Sequence, residues 1–234
     1  MGMDPKAGEP NIRIPPLELP GSLDVPDHFS AAVLFAHGIG VNSGRCSPRN
    51  LHVAAKLREA GYATLLMDLL TEEEKADPAN DFDVHRLAER LIQATRFLRA
   101  ETAVAQKAVG FFGGATGAAT ALIAAGRAAE HDGIGAVVCR GGRPDLAEAW
   151  LDGVAAPTLL IVGSKDAPAL DLNSDAFARL HCVKALEVVP GAGRLFEEPG
   201  ALDMVAESAR GWFDSHLLKA GNGWARVDSD GVRE

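Results

Sequence analysis

Short continuous apolar runs alternate along the chain with longer stretches in which apolar positions return every three or four residues. That alternation predicts strands interleaved with amphipathic helices. Ala31–Ala36 is wholly apolar and ends in His37-Gly38, the pattern of a buried parallel strand meeting a turn. Pro48 to Ala60 reads as a helix, with proline in its first turn and Gly61 as its stop. Ala63–Met67 reads as the next strand and Glu72–Ala79 as a polar excursion. Val84, Leu87, Ala88, Leu91, Ile92, Thr95 and Leu98 share one helical face, which predicts a helix over Asp83–Ala100. The alternation continues with a strand at Lys107–Phe112, a small-residue helix at Thr116–Ala129, a strand at Ile134–Cys139 and a short helix at Pro144–Leu151. It closes with strands at Pro157–Val162 and Ala185–Val189 and helices at Asp171–Leu180 and Pro199–Leu218.

This order predicts a doubly wound, mostly parallel sheet with helices on both faces. Asn11–Ile14 and Leu17–Val25, broken by Pro15, Pro16 and Pro20, predict a short N-terminal β extension at a sheet edge. The expected organisation is a flexible N-terminus over residues 1–10, one α/β domain over 11–218 and a loose, polar tail over 219–234. In open α/β sheets, functional residues sit on loops beyond the carboxyl ends of the strands. The candidate functional loops are therefore His37–Asn50, Asp68–Asn80, Gly113–Gly117, Arg140–Pro144, Gly163–Asp171 and Pro190–Pro199.

Composition narrows the functional classes. A formal net charge of −9 argues against a nucleic-acid partner, which needs a basic surface. No apolar run approaches the ~18 residues of a membrane span. The Pro- and charge-rich stretch Met1–Pro20 does not read as a signal peptide, so a soluble cytoplasmic protein is expected. Cys46, Cys139 and Cys182 form neither a disulfide framework nor a zinc pattern, and the histidines lack metal-ligand spacing. No metal and no cofactor are expected.

The sharpest chemical signal is Gly113-Gly114-Ala115-Thr116-Gly117, between a strand and a helix. It has the form G-x-S-x-G with alanine in place of serine. Glycines are needed there because the turn is tight enough to strain its central residue and to exclude neighbouring side chains. A glycine-rich turn opening a helix also serves as a phosphate cradle or as simple close packing. Further along, Val162-Gly163-Ser164-Lys165-Asp166 places an aspartate after a strand, and Val189-Pro190-Gly191-Ala192-Gly193-Arg194-Leu195-Phe196 forms the loop after the last strand. Nucleophile, acid and base follow one another in this order in α/β-hydrolases.

Several segments together resemble the dienelactone-hydrolase-like members of the α/β-hydrolase superfamily. They include Phe35-Ala36-His37-Gly38, Ser47-Pro48-Arg49-Asn50, Asp68-Leu69-Leu70-Thr71-Glu72-Glu73, Leu87-Ala88-Glu89-Arg90, Arg140-Gly141-Gly142-Arg143-Pro144-Asp145-Leu146, Ala156 to Gly163, and Leu195-Phe196-Glu197-Glu198-Pro199-Gly200. The resemblance covers roughly residues 11–218. It implies a serine nucleophile where Ala115 stands, an acid at Asp166 and a histidine base where Arg194 stands. Of these only Asp166 is kept. It further implies an oxyanion hole from the amide of Thr116 and one near Gly38-Ile39, with His37 shaping that turn.

Alanine has no nucleophilic atom, and a guanidinium has donors but no acceptor. Ordinary serine-hydrolase activity is therefore expected to be absent or vestigial, with a small-molecule pocket kept for binding or a non-hydrolytic role. A bidentate Arg194–Asp166 pair is one arrangement that would fill the space of an Asp–His pair. The alternative is an active ester or lactone hydrolase with a different nucleophile, or an engineered Ser-to-Ala form. Cys139, at a strand end facing the cleft, Cys46 and Ser43 are the rival nucleophiles, each weighed against an ordinary packing or loop role. His37 is the rival base, weighed against a structural histidine bonded to backbone. Asp68 is read as a loop brace, and Glu197 and Glu198 as carboxylates at a helix start. A small-molecule ligand fits this reading, nucleic acid and membrane do not, and a protein partner or homo-oligomer stays open.

Overall fold

The computed structural model describes residues 9–37, 44–101, 103–128 and 133–220. Its strands are β1 (Ile12–Ile14), β2 (Leu19–Asp24), β3 (Ala31–Ala36), β4 (Tyr62–Met67), β5 (Ala108–Gly114), β6 (Ala136–Arg140), β7 (Thr158–Gly163) and β8 (Lys184–Val189). Its α-helices are α1 (Pro48–Glu59), α2 (Glu72–Lys75), α3 (Val84–Glu101), α4 (Thr116–Ala128), α5 (Ala167–Arg179) and α6 (Ala201–Ala220), with 3-10 segments at Pro78–Phe82 and Pro144–Gly153. The strands form one sheet in the order β1-β2-β4-β3-β5-β6-β7-β8. β1 and β2 pair antiparallel, as do β2 and β4, and every other pairing is parallel. The N-terminal extension is thus a β hairpin added at the β4 edge.

The inner parallel strands β3 to β7 are mostly apolar and buried because both faces are covered, whereas the edge strand β8 carries Lys184 and an exposed Glu187. Along β3, Ala32, Leu34 and Ala36 enter one core while Ala31, Val33 and Phe35 enter the other. The first core is closed by α3 and α4, including Leu87, Leu91, Leu98, Leu122 and Ile123. The second is closed by α1 and α6, including Val53, Leu57, Val205 and Phe213. No helix among the described residues is long and apolar enough to cross a membrane.

Three local expectations are corrected. The polar excursion after β4 is not irregular: Thr71 accepts from the amide of Glu74, and Glu74 Oε2 accepts from the amide of Thr71. This capping box folds Glu72–Lys75 into a helical turn. Pro144–Gly153 winds as 3-10 rather than α. Helix α5 begins at Ala167, four residues before the expected Asp171, because the Asp166 side chain caps it by accepting from the amide of Ala169 at 3.3 Å. Of the expected loose ends, residues 1–10 and 219–234, positions 1–8 and 221–234 lie outside the described residues, while 219–220 continue α6 instead.

Strand order reverses between β3, whose successor β4 lies on one side, and β5, which lies on the other. Such a switch point opens a crevice at the strand ends. Here α4 starts almost in contact with the end of β3. A Cβ on Gly117 would stand 2.0 Å from the carbonyl oxygen of Ala36, and one on Gly113 would stand 2.4 Å from that of Gly117. Gly117→Ala should therefore cost about 3 kcal/mol or more. By contrast, Gly211→Ala, in an open stretch of α6 with nothing within 4 Å of the new Cβ, should add about 0.5–1 kcal/mol. Urea midpoints of the two variants read both, and a neutral Gly117→Ala would contradict the steric account.

Candidate functional site

The site is built from the ends of β3, β5, β6, β7 and β8. Ala115, the residue after β5, has φ +53. That left-handed conformation is uncommon for a residue carrying a Cβ and is sustained only where the surroundings impose it. Its carbonyl accepts from the amides of Ala118 and Arg143, tying the β5 turn to α4 and to the loop after β6. The backbone is therefore that of a nucleophile elbow, with a methyl group at its apex. Thr116 is the first residue of α4, so its amide has no helical acceptor and is available at the apex. Gly38 and Ile39, the other expected oxyanion contributors, lie outside the described residues, as does Ser43.

His37 directly follows β3 and is buried, and its Nε2 donates to the carbonyl of Met67. A carbonyl cannot donate, so that nitrogen carries a proton. The ring is held to backbone and also lines the crevice.

The loops after β7 and β8 are fastened to each other. The amide of Lys165 donates to Ala192, that of Ser164 to Val189, and that of Gly191 to Ser164 Oγ. A Cβ on Gly163 would meet the Ala192 carbonyl at 2.4 Å, so the two loops approach as closely as backbone permits. Glu198 Oε1 accepts from the amide of Gly193 at 3.0 Å, and this bond holds its carboxyl below the usual carboxylate range. Phe196, at φ +55, is buried beneath the loop.

This scaffold brings Arg194 near Asp166 without pairing them. Arg194 is exposed and makes no ion pair among the described residues. The Oδ2 of Asp166 is buried without a hydrogen-bond partner, and its Oδ1 serves the α5 cap. The bidentate Arg194–Asp166 pair is thus corrected: the two side chains share the wall of one crevice and remain apart. Asp68 braces loops as expected, through Lys75 at 3.2 Å and Arg45 at 3.8 Å.

Cys139 is also corrected as a cleft residue. Alternation along β6 sends Ala136 and Val138 into one core and Val137 and Cys139 into the other, under α4. Its thiol has no exposure, its nearest polar partner is the Ala118 carbonyl at 3.9 Å, and burial pushes its pKa up to about 12. A buried thiol of this kind is inert.

The same alternation carries the next side chain, Arg140, toward the crevice, and residue spacing alone did not single it out. Arg140 lies beside Ala115 with 8% exposure, and its Nη1 is buried with no hydrogen-bond partner. Its guanidinium sits 5.9 Å from the Phe112 ring centroid and fills the space left by Gly114, where a Cβ would stand 2.7 Å from Nη2. Burial, and then the nearby Arg49, lower its pKa to about 10, so it stays charged at neutral pH. The cavity at the apex is lined by His37, Arg49, Ala115, Arg140, Gly141 and Arg194, among others, and by no carboxylate among the described residues. Arg49 has a solvent-facing ion pair with Glu197 at 3.7 Å. An unpaired buried cation costs several kcal/mol. The detectable signal was an arginine closing an otherwise apolar strand at its carboxyl end. No group of three or more metal-ligating side chains occurs among the described residues.

No protein-family profile matches the chain. A crystal structure of dienelactone hydrolase from Anabaena variabilis is 46% identical, with a TM-score of 0.82 over 88% of this chain and 95% of that one. An α/β serine hydrolase homologue from Coxiella burnetii, 14% identical with a TM-score of 0.71 over 89% and 98%, shares the fold. Two Mycobacterium tuberculosis proteins, both named "Putative phosphoribosyl transferase", are 50% identical over 206 residues. The match spans 88% of this chain but only 46% of theirs, so the chain spans about half the length of these relatives.

The placement of Cys139 has a pH consequence. The folded state holds the neutral thiol, while the unfolded chain ionises near pH 8.5. The contribution is complete below that value and is lost as pH rises toward about 12. Between about pH 8 and pH 10, Cys139→Ala should therefore lose less stability than the unmodified chain. Urea midpoints across that range test this, and parallel curves would contradict it.

Proposed function

The chain belongs to the dienelactone hydrolase family of α/β-hydrolases, and on that premise we propose that it lacks ordinary serine-hydrolase activity and uses the preserved pocket to bind a small molecule. The observation that carries this reading is Ala115, which holds the elbow conformation at φ +53 with no nucleophilic atom. Strain of that kind is otherwise kept to present a side chain for reaction. Arg194 supports the same reading, because a charged guanidinium on the β8 loop cannot accept a proton from a hydroxyl or a water. Asp166 keeps the acid's place after β7 and has one carboxylate oxygen unpartnered.

The alternative of another nucleophile is weakened at Cys139, which is buried under α4 with its pKa raised by that burial. Cys46 is exposed, on the segment leading into α1, and is the thiol that remains to be tested. We assign the transferase name of the mycobacterial relatives to the part of those proteins that this chain does not match, since the chain that matches the other part is similar to a dienelactone hydrolase over nearly its full length.

Restoring the two missing groups tests the proposal. Loss of a nucleophile or base costs about 10⁶ in turnover in a serine protease, with roughly 10³–10⁴ over water left from binding and oxyanion contacts. The unmodified chain should show no measurable turnover of p-nitrophenyl acetate. Ala115→Ser with Arg194→His should raise the rate by at least about 10³-fold, because the new imidazole would find Asp166 Oδ2 ready to accept. Turnover by the unmodified chain that disappears in Cys46→Ala would overturn the proposal.

A further inference from the structure

Within the reading of a preserved binding pocket, the cavity at the elbow has a distinct electrostatic character. Its base is the Arg140 guanidinium, which is buried and has an Nη1 with no partner. Arg49 and Arg194 stand on the walls, and Glu197, the carboxylate paired with Arg49, is exposed outside the cavity. The chain carries a formal charge of −9, so three guanidiniums around one cavity are a local reversal of its overall sign. The first turn of α4 begins at the same apex and contributes unsatisfied amides and the positive end of its dipole. Where a serine side chain would project, the Ala115 methyl leaves room in front of these donors.

We propose that this cavity binds the phosphate group of a small phosphate ester, with Arg140 as its principal anchor. Three cations, one partly neutralised by Glu197, match a dianion better than a single carboxylate. The cavity volume is about 50 Å³, room for a few waters or one tetrahedral group. A second cavity of about 150 Å³ shares Gly141 and Arg194 with the first and is lined by Pro168, Ala169 and Leu172 as well as Asp166. It takes the organic remainder of the ligand, and Asp166, which lines this second cavity and not the first, stands outside the phosphate site. Gly141, at φ +52, forms the saddle between the two cavities, and a Cβ there would press on the Arg194 carbonyl at 3.0 Å.

Titration calorimetry of the full chain with inorganic phosphate and, separately, with phenyl phosphate tests this. Both should bind competitively at one site, phenyl phosphate at least about threefold more tightly, and acetate at least about tenfold more weakly than phosphate. Arg140→Met should lose tenfold or more in phosphate affinity. Should that variant fail to fold, Ala115→Asp provides an independent test: its carboxylate would occupy the anion position from within, and aspartate tolerates the left-handed backbone there. It should fold and no longer bind phosphate. Absence of phosphate binding to the folded unmodified chain, binding unchanged in either folded variant, or acetate binding as tightly as phosphate would overturn the inference. Equal affinity for the two phosphates would overturn the assignment of the second cavity to the ligand. The ester-hydrolysis assay is separate, since turnover with p-nitrophenyl acetate would sink the non-hydrolytic reading and leave the phosphate result standing.

Discussion

Backbone contact between the start of α4 and the end of β3 is the constraint on which the rest of the site depends. Gly117 meets the Ala36 carbonyl where no side chain could fit. Helix α4 can therefore lie directly over the switch point, and the residue before it must turn sharply. Ala115 accepts a positive φ as the consequence, and its carbonyl then collects the amides of Ala118 and Arg143. One steric fact thus sets the elbow, the direction of the α4 dipole and the seat of the loop after β6. The geometry holds without a serine at the apex because none of these contacts uses the apex side chain.

The same arrangement explains why Arg140 can be buried. A guanidinium at the end of an apolar strand needs room and compensation. Gly114 supplies the room, and the Phe112 ring supplies one face of contact. Charge compensation is missing among the described residues, and the neighbouring Arg49 makes the deficit larger. In an acidic protein, a cavity lined, among the described residues, by guanidiniums and no carboxylate has an electrostatic complement that is anionic.

The loops after β7 and β8 place Asp166 and Arg194 on the wall of one crevice without a bond between them. The loops after β7 and β8 are joined by backbone and Ser164 contacts that do not involve either side chain. Asp166 keeps its place because it also caps α5. Arg194 is longer than the histidine the family pattern implies and reaches outward, so the carboxylate remains unpaired.

Much of the fold was legible from hydrophobic period alone. β3 was bounded correctly by its continuous apolar run, and α1 and α4 to within a residue by proline and glycine punctuation and by small-residue composition. The elbow was legible because its glycines answer a steric demand that is local in sequence. The start of α5 was not, since its cap lies in a residue first read for catalysis. The polar segment after β4 was not, since its helical turn depends on a reciprocal Thr71–Glu74 bond rather than on an apolar face. By itself the sequence determined the order of strands and helices along the chain, the chemical identity of the apex and the absence of a histidine on the β8 loop, because each of these is a matter of which residues are present. Only the tertiary structure decided that Cys139 faces the core and Arg140 the crevice, and that Arg194 and Asp166 stay apart. Those outcomes depend on strand parity, helix placement and loop packing, which are set by contacts between residues far apart in the chain.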